Sequence, residues 1–135
     1  MTNRVERKLP NGAKAARQAR HAVDELEGAL DTEVLEDVRL LVTELVTNSV
    51  RHAEQPQDGW VHLKIAASDD RVRVEVSDPG TGFEPAHRDR PITEASGWGL
   101  FLVDKVADRW GVECDRVTRV WFEIGRNGHR RAAVS

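Results

Sequence analysis

The sequence is poor in the residues that mark several classes of protein. Cys114 is its only cysteine, so no internal disulfide bond can form, and we expect a buried, unreactive thiol in a reducing compartment. No apolar run approaches the roughly 18–20 residues that are needed to cross a bilayer. The N-terminal stretch MTNRVERKLP has no apolar centre. We therefore expect no secretory signal, no membrane association and a cytoplasmic location.

The chain also lacks a strong charge of either sign. Its formal net charge is −3 over 135 residues, which argues against direct binding of nucleic acid. The basic residues near the C-terminus predict a solvated, flexible tail over 126–135. The length indicates a single domain, 1–135, with a core over about residues 10–124.

Hydrophobic periodicity predicts a strand, two helices, a hairpin, a long loop, a helix and a second hairpin. Helices are predicted over 13–30, about 32–53 and 100–110, and strands over 4–9, 60–67, 71–78, 111–115 and 118–124. Segment 79–99 holds four of the ten glycines and three of the five prolines, as a functional loop does. The fold class is therefore α+β: a two-layer sandwich of a mixed, mostly antiparallel sheet against three helices.

The second helix carries a carboxylate and a carboxamide one turn apart, in the stretch TELVTNSVRH. With Glu44 as the origin, a rotation of roughly 100° per residue places Asn48 near 40° and the apolar Leu41 near 60°. Both polar residues thus lie on the border of the buried face, where a carboxylate loses hydration unless it has a partner or a ligand. On this helix alone, side chains that simply reach water remain the alternative.

Two glycine motifs follow. Asp78 ends a strand and opens DPGTGF, an acceptor beside a backbone that can approach a ligand through Gly80 and Gly82. The motif SGWGL, with Gly97, Gly99 and Leu100, opens a helix whose free amides suit a phosphate. Each motif alone is common in ordinary turns, and neither is a Walker-type or dinucleotide-binding loop.

The three motifs in this order resemble those of a Bergerat-fold (GHKL) ATP-binding domain. Within that fold, LLVTELVTNSVRHA, VSDPGTGF and GWGLFLVDKVADRWGVE are similar to the boxes of free-standing anti-sigma factor serine/threonine kinases of Gram-positive bacteria. The resemblance implies that Glu44 is the general base and that Asn48 holds Mg²⁺ on the phosphates of ATP. It implies that Asp78 accepts a hydrogen bond from the adenine amino group. It also implies that the remaining motif residues line the nucleotide: Gly80, Gly82, Gly97, Gly99 and Leu100.

The last strand departs from the pattern of that family. Relatives often carry Gly-x-Thr just before it, with the threonine near the adenine, whereas this sequence reads DRVTRVWF. Thr118 makes this contact one residue out of register, or Arg119 occupies the position instead.

The resemblance makes segment 84–96 the ATP lid, with Arg88 and Arg90 as candidate phosphate contacts and a solvated lid as the alternative. Relatives often have a basic residue between the glycines of the third motif, and here Trp98 stands there. The absence of a basic side chain at this position weakens the expected contacts with phosphate. Three roles remain open for Trp98: it covers the nucleotide, it faces a partner, or it packs on the core.

The function implied by the resemblance is that of an ATP-dependent regulator. It would sequester an RNA polymerase sigma factor and phosphorylate a serine or threonine of a STAS-type anti-anti-sigma protein, and it would form a homodimer. An ATP-gated binding module without kinase activity is the alternative. A two-component histidine kinase is disfavoured because a phosphoacceptor helix pair has no room in 135 residues.

Overall fold

The computed structural model describes residues 3–10, 12–52, 59–79, 98–114 and 117–126, with the backbone alone at 50–52 and 98–100. Eight elements follow one another along this part of the chain. In order they are β1 (Asn3–Pro10), α1 (Ala15–Asp24), α2 (Thr32–His52), β2 (Trp60–Ala67), β3 (Arg71–Asp78), α3 (Trp98–Val106), β4 (Arg109–Cys114) and β5 (Thr118–Gly125).

The five strands form one sheet in the order β1-β2-β3-β5-β4. Every pair of neighbouring strands in it is antiparallel, so the described sheet is not mixed but wholly antiparallel. Apolar and polar residues alternate along the strands, and successive side chains of a strand point to opposite sides of the sheet. The two faces of the sheet therefore differ in polarity. One face is apolar and buried; it includes Val61, Leu63, Ile65, Val72, Val74, Val76, Phe122 and Ile124.

The helices cover this apolar face. Helix α1 packs against α2 and against β1, while α2 contacts β2, β3 and α3. The apolar stripe of α2 is buried along its length, as its spacing predicted; the residues are Val34, Leu35, Val38, Leu41, Val42, Leu45 and Val46. The predicted α+β architecture of two layers, with five strands and three helices among the described residues, is confirmed.

Helices α1 and α3 both end earlier than predicted. Helix α1 ends at Asp24 and not at Leu30, although Leu26 and Leu30 are both buried as its periodicity required. After Asp24 the hydrogen bonds span three residues instead of four, with the Leu26 N–H donating to the Val23 carbonyl at 2.9 Å. Gly28 then has a φ of +90°, a left-handed conformation that glycine adopts without strain. Leu26 and Leu30 are therefore buried at the predicted spacing, but they belong to a turn and not to a helix.

Helix α3 begins at Trp98 and ends at Val106, so the predicted end of this helix at residue 110 is wrong. Asp108 draws the chain into the sheet: its N–H donates to the Glu123 carbonyl at 2.9 Å, and its carboxylate accepts from the Gly125 N–H at 2.7 Å. Gly111 lies inside β4, where a Cβ atom would stand only 2.7 Å from the Trp121 ring nitrogen. The glycine is there because the indole of Trp121 covers it.

Cys114 is a free thiol at the end of β4, and it is half-buried where full burial was expected. Strand β4 lies at an edge of the described sheet, so it has a neighbouring strand on one side only.

No helix among the described residues is long and apolar enough to cross a membrane.

Candidate functional site

The ends of β3 and β5 bring two predicted site residues side by side. Asp78 is the last residue of β3 and pairs directly with Thr118, the first residue of β5, and Thr118 pairs in turn with Cys114 of β4. Residues paired across antiparallel strands lie on the same face of the sheet. Val76 and Val120 form the pair two residues before, on the same face. The row of Asp78 and Thr118 therefore lies on the helix-facing side of the sheet.

Asp78 is only 6% exposed, an uncommon environment for a carboxylate. A buried carboxylate is retained only where hydrogen-bond donors meet it. Its position at the strand end, on the same face as Thr118, offers an acceptor and a hydroxyl within one cross-strand spacing of each other. This pair is suited to the polar edge of a planar base.

Thr118 and Arg119 lie on opposite faces of the sheet. Arg119 pairs with Ser77 and therefore lies on the opposite, outward face of the sheet. There its guanidinium donates to Glu113 at 2.9 Å and lies 3.7 Å from Glu75. Of the two candidates, Thr118 is the one that shares a face with Asp78.

Arg119 belongs to a charged network that occupies the outward face. Arg73 donates to Glu123 at 2.9 Å and to Glu75 at 3.1 Å, and its guanidinium lies 4.4 Å from the centre of the Trp121 ring. Burial alone would lower the pKa of Arg73, but its hydrogen bonds to Glu123 and Glu75 raise it. These charges pair with one another on the face of the sheet opposite to Asp78 and Thr118.

Glu44 and Asn48 lie where the helical spacing predicted. Both side chains are half-buried on α2, and Leu41 and Leu45 beside them are buried. Helix α2 packs on β3, the strand that Asp78 ends, and on α3. The carboxylate and the carboxamide are thus fixed by a packed helix, one turn apart, on its border with solvent.

The third motif begins a helix, as predicted. Gly99 and Leu100 lie in the first turn of α3, where backbone amides have no partners within the helix and favour an anion. Helix α3 packs against α2, the helix of Glu44 and Asn48. The other predicted motif and lid residues lie outside the described ones: Gly80, Gly82, Arg88, Arg90 and Gly97.

The donors on α2 suit a Mg²⁺ ion that phosphate and water hold in large part. In the described part of the chain, no group of three or more His, Cys, Asp or Glu residues could hold a metal. Mg²⁺ typically takes one or two ligands from the protein and the rest from phosphate oxygens and water. The Asn48 carboxamide oxygen, half-buried on α2, fits that role.

Comparison with known proteins identifies the fold and its family. The model of the histidine kinase-like ATPase domain matches residues 9–123. The chain belongs to the histidine kinase-like ATPase family. The family and the fold predicted from the three motifs are therefore confirmed.

Relatives within this ATPase family carry regulatory names. An anti-sigma F factor of Clostridium botulinum is 32% identical over 108 residues, which cover 73% of this chain and 76% of the relative. An anti-sigma F factor of Clostridium acetobutylicum is 29% identical over 125 residues, covering 86% and 87%. The serine-protein kinase RsbW of Listeria monocytogenes is 33% identical over 88 residues, which cover 56% of each chain. These names agree with the kind of activity that the motifs predicted.

Solved structures agree on the fold. The RsbU and RsbW domains of a Mycobacterium tuberculosis protein superpose with a TM-score of 0.70 at 20% identity, covering 90% of this chain and 32% of that longer chain. A blue-light activated histidine kinase of Erythrobacter litoralis superposes with a TM-score of 0.63 at 23% identity, covering 90% of this chain and 43% of that one. Both are longer proteins of which this chain spans less than half.

The sequence did not predict that Cys114 stands in the row of Asp78 and Thr118. The signal was present in the hairpin pattern, since the register of β4 and β5 follows from their alternation. The predicted helix over 100–110 includes Arg109 and Trp110, which belong to β4, and it therefore hides part of the pairing with β5.

Proposed function

We propose that this protein is an ATP-dependent anti-sigma factor with serine/threonine kinase activity. It sequesters an RNA polymerase sigma factor and phosphorylates a STAS-type anti-anti-sigma protein, acting in the cytoplasm as a homodimer. The observation that carries the proposal is the pairing of a general-base candidate, Glu44, with a metal-ligand candidate, Asn48, on the same helix. The names of the relatives, anti-sigma F factor and serine-protein kinase, support the same activity.

The residues divide between recognition and chemistry. Asp78 accepts a hydrogen bond from the exocyclic amine of adenine, and Thr118 on the same face contacts the base beside it. The amides of the first turn of α3, at Gly99 and Leu100, face the phosphates. The glycines of the second and third motifs, Gly80, Gly82 and Gly97, let the backbone approach the nucleotide.

Glu44 takes the proton of the attacking hydroxyl. The Oγ of a serine or threonine in the protein substrate forms a bond to the γ-phosphorus of ATP. The bond from that phosphorus to the β–γ bridging oxygen breaks, and ADP leaves with that oxygen. Mg²⁺ held by Asn48 supplies charge neutralisation on the phosphates. Because Glu44 precedes Asn48 by one turn, base and metal ligand lie about 6 Å apart along the helix.

A transfer assay tests this assignment. The protein is incubated with Mg-ATP labelled in the γ-phosphate and with candidate STAS-domain proteins, and phosphate on the candidate is measured. We expect transfer by the wild type and a rate about 10²–10⁴-fold lower for Glu44→Gln, with the Kd for ATP within twofold. Glutamine keeps the size of the side chain but cannot take the proton.

Two outcomes would count against this assignment. Tight ATP binding without transfer to any cognate partner would replace the kinase with an ATP-gated binding module. Transfer at an undiminished rate by Glu44→Gln would leave the kinase standing and remove Glu44 as its base.

A further inference from the structure

Leu40 is a large apolar side chain exposed next to the proposed base. It is 42% exposed, and in the described part of the chain only Phe101 and Val112, each 39% exposed, are comparable. A single exposed leucine is common on protein surfaces and needs no explanation by itself. Leu40 differs from such residues in its position on α2.

Leu40 precedes Glu44 by four residues and therefore lies on the same side of α2, one turn away. Its direction differs from that of Glu44 by about 40°, away from the buried stripe, and side chains at this spacing have Cβ atoms about 5–6 Å apart. Asn48 lies on the other side of Glu44 by a similar angle. The base thus stands between the metal-ligand candidate and an exposed apolar residue.

Carboxylates surround this leucine. Glu33 and Glu36 are exposed, Asp37 is half-buried, and all three lie within about 80° of Glu44 around the helix axis. We call Leu40 with these three residues the Leu40 patch.

The Leu40 patch has no basic residue of its own. Residues 31–44 contain five acidic residues and one basic residue, Arg39. Arg39 lies toward α1, where its guanidinium donates to Asp24 at 2.6 and 3.0 Å. The charge of Arg39 is therefore directed to the other side of α2, and the exposed Glu36, one turn before Leu40, places a negative charge beside the apolar side chain.

We propose that the Leu40 patch docks the protein substrate, by binding an apolar side chain and basic residues that flank the acceptor hydroxyl. The inference rests on the proposed function. Leu40 lies one turn from Glu44 on the side away from Asn48, so a substrate surface that presents its hydroxyl to Glu44 from that side contacts Leu40. An apolar anchor within a polar rim is the usual organisation of a protein interface. The negative charge of Glu36 in this rim selects a positively charged surface.

Truncation of the anchor tests the proposal. For Leu40→Ala we expect the KM for the protein substrate to rise about tenfold, as the loss of one apolar anchor at an interface commonly does. The kcat at saturating substrate and the Kd for ATP should stay within twofold. Leu40→Met, of similar volume and polarity, should restore the KM to within about threefold of the wild type.

Val112→Ala is the matched control, because Val112 is similarly exposed but lies on the edge strand β4. Its KM should equal that of the wild type. Glu36→Lys tests the rim separately: it should raise the KM and make it less sensitive to salt, since a favourable charge pair is replaced by a repulsive one.

The outcomes separate the two proposals. Absence of transfer by the wild type overturns the kinase function and the docking of a substrate with it. Transfer with equal KM values for Leu40→Ala and Val112→Ala overturns the docking proposal alone. A Leu40→Ala variant that loses affinity for ATP, or binds the sigma factor less tightly with an unchanged KM, also overturns it, because Leu40 would then serve another contact.

Discussion

The two ends of β3 use polar side chains in different ways. At its first end, the turn from Ser68 to Arg71 is closed by hydrogen bonds within the chain: Ser68 N–H donates to the Arg71 carbonyl at 2.9 Å, and Ser68 Oγ donates to Asp70 at 2.9 Å. At its other end, Asp78 and Thr118 stand in one row on the helix-facing side. The first end holds the fold together, and we propose that the second holds the nucleotide.

Arg126 is the centre of the structural end. Its guanidinium donates to the carbonyl of Ala29 at 2.6 Å and to the carbonyl of Ser68, and its N–H donates to the Asp70 carbonyl at 3.0 Å. One side chain therefore links the end of β5 to the turn and to the connection between the first two helices. The strand between the two ends is seven residue steps long, or about 23 Å. Stability and binding should accordingly respond to different substitutions.

The largest effect is expected at Asn48. Asn48→Ala should abolish Mg-dependent ATP binding, because the carboxamide ligand of Mg²⁺ is lost. The free energy of unfolding should change little, since the residue lies half-buried on the border of α2. Calorimetric titration with Mg-ATP and urea unfolding measure the two quantities. Normal Mg-ATP binding by this variant would refute the site assignment.

Arg126→Ala should have the opposite profile. Removal of the guanidinium leaves the Ala29 and Ser68 carbonyls without this donor, so the free energy of unfolding should fall by about 1–3 kcal/mol. The Kd for ATP should remain that of the wild type. Urea unfolding and nucleotide titration of the same preparation provide the comparison. A variant as stable as the wild type would show that these bonds are replaced by water without cost.

Thr118 and Arg119 are neighbours in sequence that the sheet places on opposite faces. Thr118→Val keeps the shape of the side chain but removes the hydroxyl, and the Kd for ATP should rise about fivefold, equivalent to about 1 kcal/mol. Arg119→Gln is the matched control and should leave the Kd unchanged, since Arg119 contacts Glu113 and Glu75 on the outward face. The reverse result would mean that Arg119 reaches the nucleotide and would overturn our choice between them.

This pair also indicates how far the sequence could be interpreted. The strands 60–67 and 71–78 were predicted at their observed limits, because alternation of apolar residues directly reports burial on one face. Alternation with Phe122 and Ile124 already assigns Thr118 to the buried face. That Thr118 lies beside Asp78 depends instead on the pairing of β3 with β5, two strands that a helix and a strand separate in the chain. Residues 107–110 were misassigned for a related reason: the hydrogen bonds of Asp108 that draw them into the sheet come from Glu123 and Gly125, far along the chain.

The site shows the same division. The position of Glu44 and Asn48 on the border of the buried stripe followed from helical geometry alone, and the structure has both half-buried there. The row that joins Asp78 to Thr118 and Cys114 required three strands to be aligned. The exposure of Leu40 was not predicted, although the same helical geometry places it about 40° beyond Glu44, away from the buried stripe.

The smallest effect should come from Asp70, in the turn. The Ser68 hydroxyl, and then the charge of Arg71, hold the pKa of the Asp70 carboxyl below its ordinary value of 3.8. A carboxylate with a lowered pKa in the folded state stabilises the fold above its unfolded pKa, and this contribution is lost as pH falls through the folded pKa. The difference in unfolding free energy between the wild type and Asp70→Asn should therefore be constant near neutral pH and shrink below about pH 4.

Urea unfolding at a series of pH values measures that difference, and Ser68→Ala provides the control background. Because the Ser68 hydroxyl is the first cause of the lowered pKa, the pH dependence of the Asp70→Asn effect should be weaker in Ser68→Ala. An effect of Asp70→Asn that is equal at pH 3 and pH 7 would mean that the carboxylate does not titrate differently in the folded chain. The turn would then be held by Arg126 and by the Ser68 N–H bond, and the hydroxyl–carboxylate pair would add nothing to the structural end.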